Sequence, residues 1–204
     1  MLAYYATISH LDHQVGELIA ELKRLNLYEN TVIVFLSDNG YHLGNHGLGN
    51  KITMHEESVR VPMFIVAPGR FAHGARCGAL VSSLDVLPTL VELAGAEPPQ
   101  ALMGRSLVPL LADSKKSVRD HVVSECIGVG GKPGQGHRMV RSDTFKYVLT
   151  DTSEEWLFDE TQDPYELTNL ATRPEHRATL RQLRQHLRNW MSQTGDTHAP
   201  PPAE

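Results

Sequence analysis

Thr31-Val32-Ile33-Val34-Phe35-Leu36 runs without a polar break into Ser37-Asp38-Asn39-Gly40. The run is β-branched and aromatic and does not alternate, the pattern of a strand buried on both faces of a parallel sheet. Upstream, Ile8, Leu11, Val15, Leu18, Ile19, Leu22 and Leu25 recur at helical spacing, with acids, His13 and Lys23 on the other face. Asn26 to Asn30 closes that helix as a short loop. Helix, short loop and buried strand make the rhythm of an α/β fold.

Downstream, a polar stretch to Arg60 leads into a second apolar run, Val61 to Ala67, which Pro68-Gly69 ends. Pro62 sits near its start, where a missing N–H is least harmful. Asp85 reads as an N-cap for a helix over Val86 to Leu93, with Pro88 in its first turn and Gly95 as its stop. Beyond Lys115 the pattern changes to short strands at His121–Glu125, His137–Arg141, Phe145–Thr150 and Glu155–Asp159, the marks of a small antiparallel sheet. A helix from Glu175 to Met191 then presents Leu180, Leu183, Leu187 and Trp190 on one face. These elements divide the chain into a first domain over 1–115, a small subdomain over 116–195 and a Pro-rich, disordered tail over 196–204.

Composition removes several classes of function. The 204 residues carry 19 basic against 24 acidic groups, a formal charge of -5, which argues against a nucleic-acid partner held by phosphate contacts. There is no apolar run long enough to span a membrane. Cys77 and Cys126 form neither a disulfide framework nor a zinc motif. The glycine-rich Gly128 to Gly134 has Pro133 where a phosphate loop needs Ser or Thr after Lys132, and it reads as a hairpin loop.

The candidate chemistry lies in Ser37 to Gly47. In open α/β sheets ligands bind beyond the carboxyl ends of strands, where Asp38 and Asn39 fall. A carboxylate beside an amide oxygen suits a hard divalent cation, calcium or magnesium rather than zinc. The same Asp-Asn-Gly sequence is also turn chemistry, and on local sequence both readings stand. His42 and His46 would share a face on a helix, but Gly40, Gly44, Gly47 and Gly49 speak against a helix there. Lys51 is a lone lysine in an uncharged stretch, a surface group or an oxyanion contact. Glu56 and Glu57 open a helix or pair with Arg60.

Taken in order, these stretches resemble the C-terminal half of a type I sulfatase, of the alkaline phosphatase superfamily. The matching pieces are Tyr4 to Asp12, Asn30 to Gly40, His42 to Gly47 through Lys51 to Pro62, the helix with Asp85 and Pro88, and Leu157-Phe158-Asp159 with Asp163-Pro164-Tyr165-Glu166 and Asn169-Leu170-Ala171. The resemblance implies part of an alkaline-phosphatase-like α/β sheet with flanking helices, followed by a small antiparallel sheet packed on a C-terminal helix. It implies a sulfuric ester hydrolase acting on a sulfated small molecule or carbohydrate, with one Ca²⁺ ion. Asp38 and Asn39 match two of its ligands, Lys51 matches a sulfate contact, and His42 falls in a loop near the substrate. Members of the family are often exported.

The same resemblance marks what these residues lack. The formylglycine nucleophile of the family arises from a Cys/Ser-x-Pro/Ala-x-Arg stretch, and no such stretch occurs here; Cys77 and Cys126 both fail it. The chain reads as starting within a longer domain, since Leu2 to Tyr5 follow Met1 with no leader or linker. The expectation is a half-site that does not turn over a sulfate ester alone, with the apolar faces of 31–36 and 61–67 uncovered. A phosphodiesterase or phosphonate hydrolase of the same superfamily and a non-catalytic remnant are the alternatives; Asn39, where those hydrolases more often carry His, favours the sulfatase.

Overall fold

The computed structural model describes residues 1–99, 102–128, 136–198 and 200–202. The chain divides into two compact units: Met1–Ser37, Pro62–Cys77 and Ser83–Ser114 in one, and Asp38–Val61, Gly78–Ser82 and Lys115–Glu204 in the other. The segment with the candidate chemistry thus groups with the C-terminal residues. Among the described residues no helix is long and apolar enough to cross a membrane.

In the first unit, helix α1 (Leu2–Arg24) contains the periodic stripe, yet none of its residues is buried. Strands β1 (Ile33–Leu36) and β2 (Met63–Val66) form where the two apolar runs predict. They pair antiparallel, Ile33 opposite Val66 and Leu36 opposite Met63, which corrects the parallel expectation for this pair. A parallel pair needs a crossover connection, usually a full helix, and the connection between these strands holds only a 3₁₀ turn (Asn45–Gly47) and the four-residue helix α2 (Glu56–Val59). Nor is either strand buried on both faces: Phe35 and Phe64 stack at 4.9 Å, and Phe64 remains 45% exposed.

Helix α3 (Val86–Leu93) has the predicted bounds, with Gly95 in the left-handed region just past its end. Asp85, expected as its side-chain cap, makes no capping bond to the helix. Its carboxylate is wholly buried and accepts from the Arg105 N–H at 2.8 Å, while Thr89 Oγ1 donates to the Asp85 carbonyl at 2.6 Å. Asp85 is a latch for the chain that enters helix α4 (Val108–Ala112). Gly104 permits this approach, since a Cβ there would stand 1.9 Å from the Leu84 carbonyl oxygen.

The second unit is the better packed. Strands β3 (His121–Cys126), β4 (His137–Ser142), β5 (Phe145–Thr150) and β6 (Glu155–Asp159) form an antiparallel meander in chain order. The glycine-rich stretch between β3 and β4 falls outside the described residues beyond Gly128. Side chains alternate across the sheet. Val140, Tyr147, Leu149 and Leu157 face helix α5 (Arg177–Thr194), which buries Leu180, Leu183, Leu187 and Met191 against them. Met191 completes the buried stripe in place of Trp190, which is half-buried at its margin. Met139 and Val148, on the other face, pack against Met54.

The tail is tied back. Arg138 donates to both carboxylate oxygens of Asp196, at 2.6 and 2.9 Å, and Arg188 donates to the carbonyl of Pro201 at 2.9 Å. Pro201 is buried, so the described tail residues do not form the free segment that Pro-rich composition predicts.

On the Met54 face of the sheet, Lys146 is completely buried. Its ammonium lies 2.6 Å from Glu56, 2.8 Å from Glu166 and 3.4 Å from Glu160. Arg141 adds a second cation, 3.8 Å from Glu56 and 3.7 Å from Glu160. Burial pushes the Glu160 carboxyl up to about 7; Lys146 and Arg141 oppose the rise, while Glu166 and Glu56 add to it. Near neutrality the Glu160 carboxyl is therefore only partly ionised.

Two outcomes follow from this packing. Leu187→Ala leaves a cavity between α5 and the sheet and lowers stability by about 2–5 kcal/mol, read from urea denaturation. Glu160 binds its proton more tightly folded than unfolded, so the stability it contributes is present below its ordinary value of 4.5 and lost as pH rises through about 7. Between pH 5 and 8 the wild type should lose stability relative to Glu160→Gln, on the order of 3 kcal/mol at most; parallel pH profiles of the two proteins would refute this assignment.

Candidate functional site

The chain leaves β1 at Leu36 and turns through Ser37-Asp38-Asn39-Gly40. The Asn39 N–H donates to Asp38 Oδ1 at 2.9 Å, the turn chemistry that Asp-Asn-Gly favours. Gly40 fixes what comes next. Its N–H donates to the Ser58 carbonyl at 2.8 Å, and a Cβ on it would stand 1.9 Å from the Glu57 carbonyl oxygen. Only glycine allows two backbones to meet this closely. The start of the segment is thereby clamped to α2.

From His42 to Asn50 the loop is coiled by its own backbone. The His42 N–H donates to Asn50 O at 3.0 Å and the Gly44 N–H to Leu48 O at 2.8 Å. Leu43 and His46 sit at positive φ, 53° and 54°, beside Gly44 and Gly47 in the same half of backbone space. The glycines exclude a regular helix, as expected, yet the coil still brings the histidine rings together. His42 and His46 stand edge to face with centroids 5.7 Å apart, and His55 stacks on His46 at 4.1 Å.

Hydrogen bonds lock the cluster. His42 Nε2 lies 2.8 Å from Thr53 Oγ1 and 3.2 Å from Ser58 Oγ, and Thr53 Oγ1 lies 2.9 Å from His55 Nδ1. Asn45 donates to Glu57 Oε1 at 2.8 Å, and His46 Nε2 is 3.4 Å from Glu57 Oε2. Burial, with His46, His42 and Lys146 nearby, pulls His55 down to about 4, so its ring is neutral at physiological pH. Burial also lowers His42, and His46 adds to it while Glu57 opposes. Burial would raise Glu57, but the bond from Asn45, its own backbone N–H and the two imidazoles hold its carboxyl below the usual carboxylate range.

The predicted site residues fall in contrasting settings. Asp38 and Lys51 are exposed and Asn39 is half-buried, all in one compact unit. Among the described residues Lys51 makes no ion pair, the setting of an ammonium available to an anion. His42, by contrast, is 1% exposed, and its Nε2 is bonded to Thr53 and Ser58, so it braces the loop. In type, the Asp38 carboxylate and Asn39 amide oxygen fit a hard cation; in number they supply two of the six to eight oxygens calcium takes.

Sequence reading misses Thr53, His55 and Ser58, and above all Glu166. That residue sits at φ 51°, and its carboxylate accepts from the Glu56 N–H at 2.7 Å across 110 residues of chain. The signal was its place in the Asp163-Pro164-Tyr165-Glu166 stretch, which identifies a turn but not the partner that the turn reaches. Glu56 itself does open α2, and its 4.0 Å approach to Arg60 is secondary to the 2.6 Å contact with Lys146.

Comparison with known proteins bears on the family and the fold. The family described as N-sulphoglucosamine sulphohydrolase, C-terminal, matches residues 44–193. An arylsulfatase of Clostridium perfringens is 32% identical over 188 residues, 91% of this chain and 38% of the relative. A solved structure in complex with its substrate D-glucosamine-2-N,6-O-disulfate superposes with a TM-score of 0.88 at 29% identity, covering 98% of this chain and 42% of that one. A phosphonate monoester hydrolase of Agrobacterium radiobacter superposes at 0.84 with 28% identity, over 93% of this chain and 40% of that one. The chain spans less than half the length of each of these relatives. It belongs to the alkaline-phosphatase-like sulfatase family and matches that family's C-terminal part.

Proposed function

We propose that this chain supplies the calcium-side and sulfate-contacting part of a site for sulfate ester hydrolysis, with a sulfated carbohydrate as substrate. The observation that carries the reading is the placement of an oxygen-donor pair, Asp38 and Asn39, in the same clamped segment as the exposed, unpaired Lys51. The carbohydrate comes from the structural neighbour bound to a disulfated glucosamine.

Asp38 and Asn39 would hold the Ca²⁺ ion through a carboxylate and an amide oxygen. A bound dication of this kind supplies positive charge that stabilises oxyanions. Lys51 places an ammonium against a sulfate oxygen and absorbs charge as the ester oxygen leaves. His42, Thr53, Ser58 and Glu57 are positioning residues. Their bonds hold the ends of the segment so that Lys51 need not be ordered when the substrate binds. The 204 residues hold no Cys/Ser-x-Pro/Ala-x-Arg nucleophile stretch, and we assign the chain by itself binding without turnover.

A second reading rests on the phosphonate monoester hydrolase neighbour, which shares the fold at nearly the same TM-score. Asn39 supports the sulfatase, because an amide oxygen in place of an imidazole keeps the donor set hard.

The test is binding of glucosamine sulfate to the full chain in Ca²⁺, measured by calorimetry against unsulfated glucosamine and a phosphonate monoester. Sulfate-dependent binding should weaken about tenfold or more in Lys51→Ala, the scale of one charge-assisted hydrogen bond. Calcium affinity, on the order of millimolar for so open a set, should fall further in Asp38→Ala. Equal calcium binding by wild type and Asp38→Ala would leave a non-catalytic remnant, and preference for the phosphonate would select the second reading. An aryl sulfate should be hydrolysed only at background rate, and rapid turnover would overturn the assignment of binding alone.

A further inference from the structure

The loop holds a second set of ligand-type groups, apart from Asp38, Asn39 and Lys51. One ring nitrogen each of His42 and His46 and a carboxylate oxygen of Glu57 lie within 4.8 Å of one another. Other atoms of the set are already held from outside. His42 Nε2 is committed to the hydroxyls of Thr53 and Ser58, and Glu57 Oε1 accepts from Asn45. His42 Nδ1, in contrast, is buried with no hydrogen-bond partner. A buried polar atom left in this state has lost its hydration without replacement. A consistent proton assignment has His42 Nε2–H donating to Thr53 and Thr53 donating to His55 Nδ1, which leaves His42 Nδ1 with its lone pair.

Two imidazoles, one of them with a buried nitrogen that has no hydrogen-bond partner, and a carboxylate lie close enough to make a metal half-shell, with His42 and Glu57 oriented by partners outside the set. We propose that His42, His46 and Glu57 bind a borderline transition-metal dication of the Zn²⁺ class, with water as the fourth ligand. Two nitrogens and one oxygen suit zinc and its neighbours, and calcium's all-oxygen preference keeps it at Asp38 and Asn39. Bonds of about 2.0–2.2 Å put tetrahedral ligand atoms about 3.4 Å apart, so binding draws the set inward by up to about 1.4 Å. Burial is the chief cause that lowers His42, and a neutral imidazole is the form that ligates. Because His42 and Glu57 bracket Lys51 in the chain, the ion would pin both ends of the segment that carries the lysine.

Asp120, His121 and His186 meet the same spacing on the surface, but there His121 Nδ1 is already paired with Asp120 Oδ1 at 2.7 Å and no atom is orphaned. That set provides the control.

The full chain, stripped with a chelator and held in excess Ca²⁺, is titrated with Co²⁺ followed by visible absorption, then with Zn²⁺ in displacement. We expect tetrahedral Co²⁺ bands that one equivalent of Zn²⁺ removes. Affinity should fall at least about tenfold in His46→Gln and Glu57→Gln, with unchanged circular dichroism, and remain unchanged in His186→Asn. Absent bands, or affinity lost only in His186→Asn, would overturn the site. Should His46→Gln or Glu57→Gln fail to fold, nitrogen NMR of the wild-type imidazoles decides. Zn²⁺ must shift the ring signals of His42 and His46, and shifts confined to His121 and His186 count against the proposal.

Discussion

A fully buried ammonium needs partners, and the second unit is organised around supplying them to Lys146. The desolvation cost of such a charge is several kcal/mol, recovered only with close and well-satisfied counter-charges. Two of those charges come from segments far apart in sequence. Glu56 opens the short helix after the Lys51 loop, and Glu166 comes from the turn after the last strand. Glu166 also accepts the Glu56 N–H, so the same carboxylate satisfies the cation and the first turn of α2. The sheet thereby holds the candidate site by charge on one face, while the other face is held to α5 by apolar packing.

This division suits the two requirements on the molecule. The Lys51 loop is polar, rich in positive φ and short of apolar area, so hydrophobic burial alone would leave it loose. Its order comes instead from bonds with fixed geometry: the Gly40–Ser58 backbone contact at one end, the Glu57–Asn45 and His42–Thr53 pairs along it, and Glu56 at the other. Met54, buried against Met139 and Val148, is the loop's apolar anchor. The arrangement leaves the Lys51 side chain exposed while hydrogen bonds hold the segment that carries it.

How far sequence reading reaches depends on the range of the interaction. Strand β5, strand β6 and helix α3 fall at their predicted bounds, because alternation, turn residues and Gly95 are local signals. The direction of the β1–β2 pair is not local, and an unbroken apolar run describes a strand without its partner's orientation. Asp85 looked like a cap because caps are the common use of Asp before a helix; its actual partner, Arg105, is 20 residues away. At the candidate site, local sequence leaves Asp38 and Asn39 open between a turn and a cation pair and Lys51 between a surface group and an oxyanion contact; only the family resemblance singles them out. Nothing marks Lys146 as different from other strand lysines, and the histidine cluster depends on a coil set by four residues at positive φ.

The bond between Glu56 and Glu166 also sets an order of assembly. It closes a loop of 110 residues, whereas the meander of β3 to β6 forms from neighbours in the chain. Loop-closure entropy makes such a distant contact slower to find than local hairpins. During synthesis the Lys51 loop leaves the ribosome long before the turn that will fasten it, so the candidate site is completed last. A newly made chain can thus carry a finished sheet and still lack an anchored Lys51 segment, which is fastened only when the final turn docks.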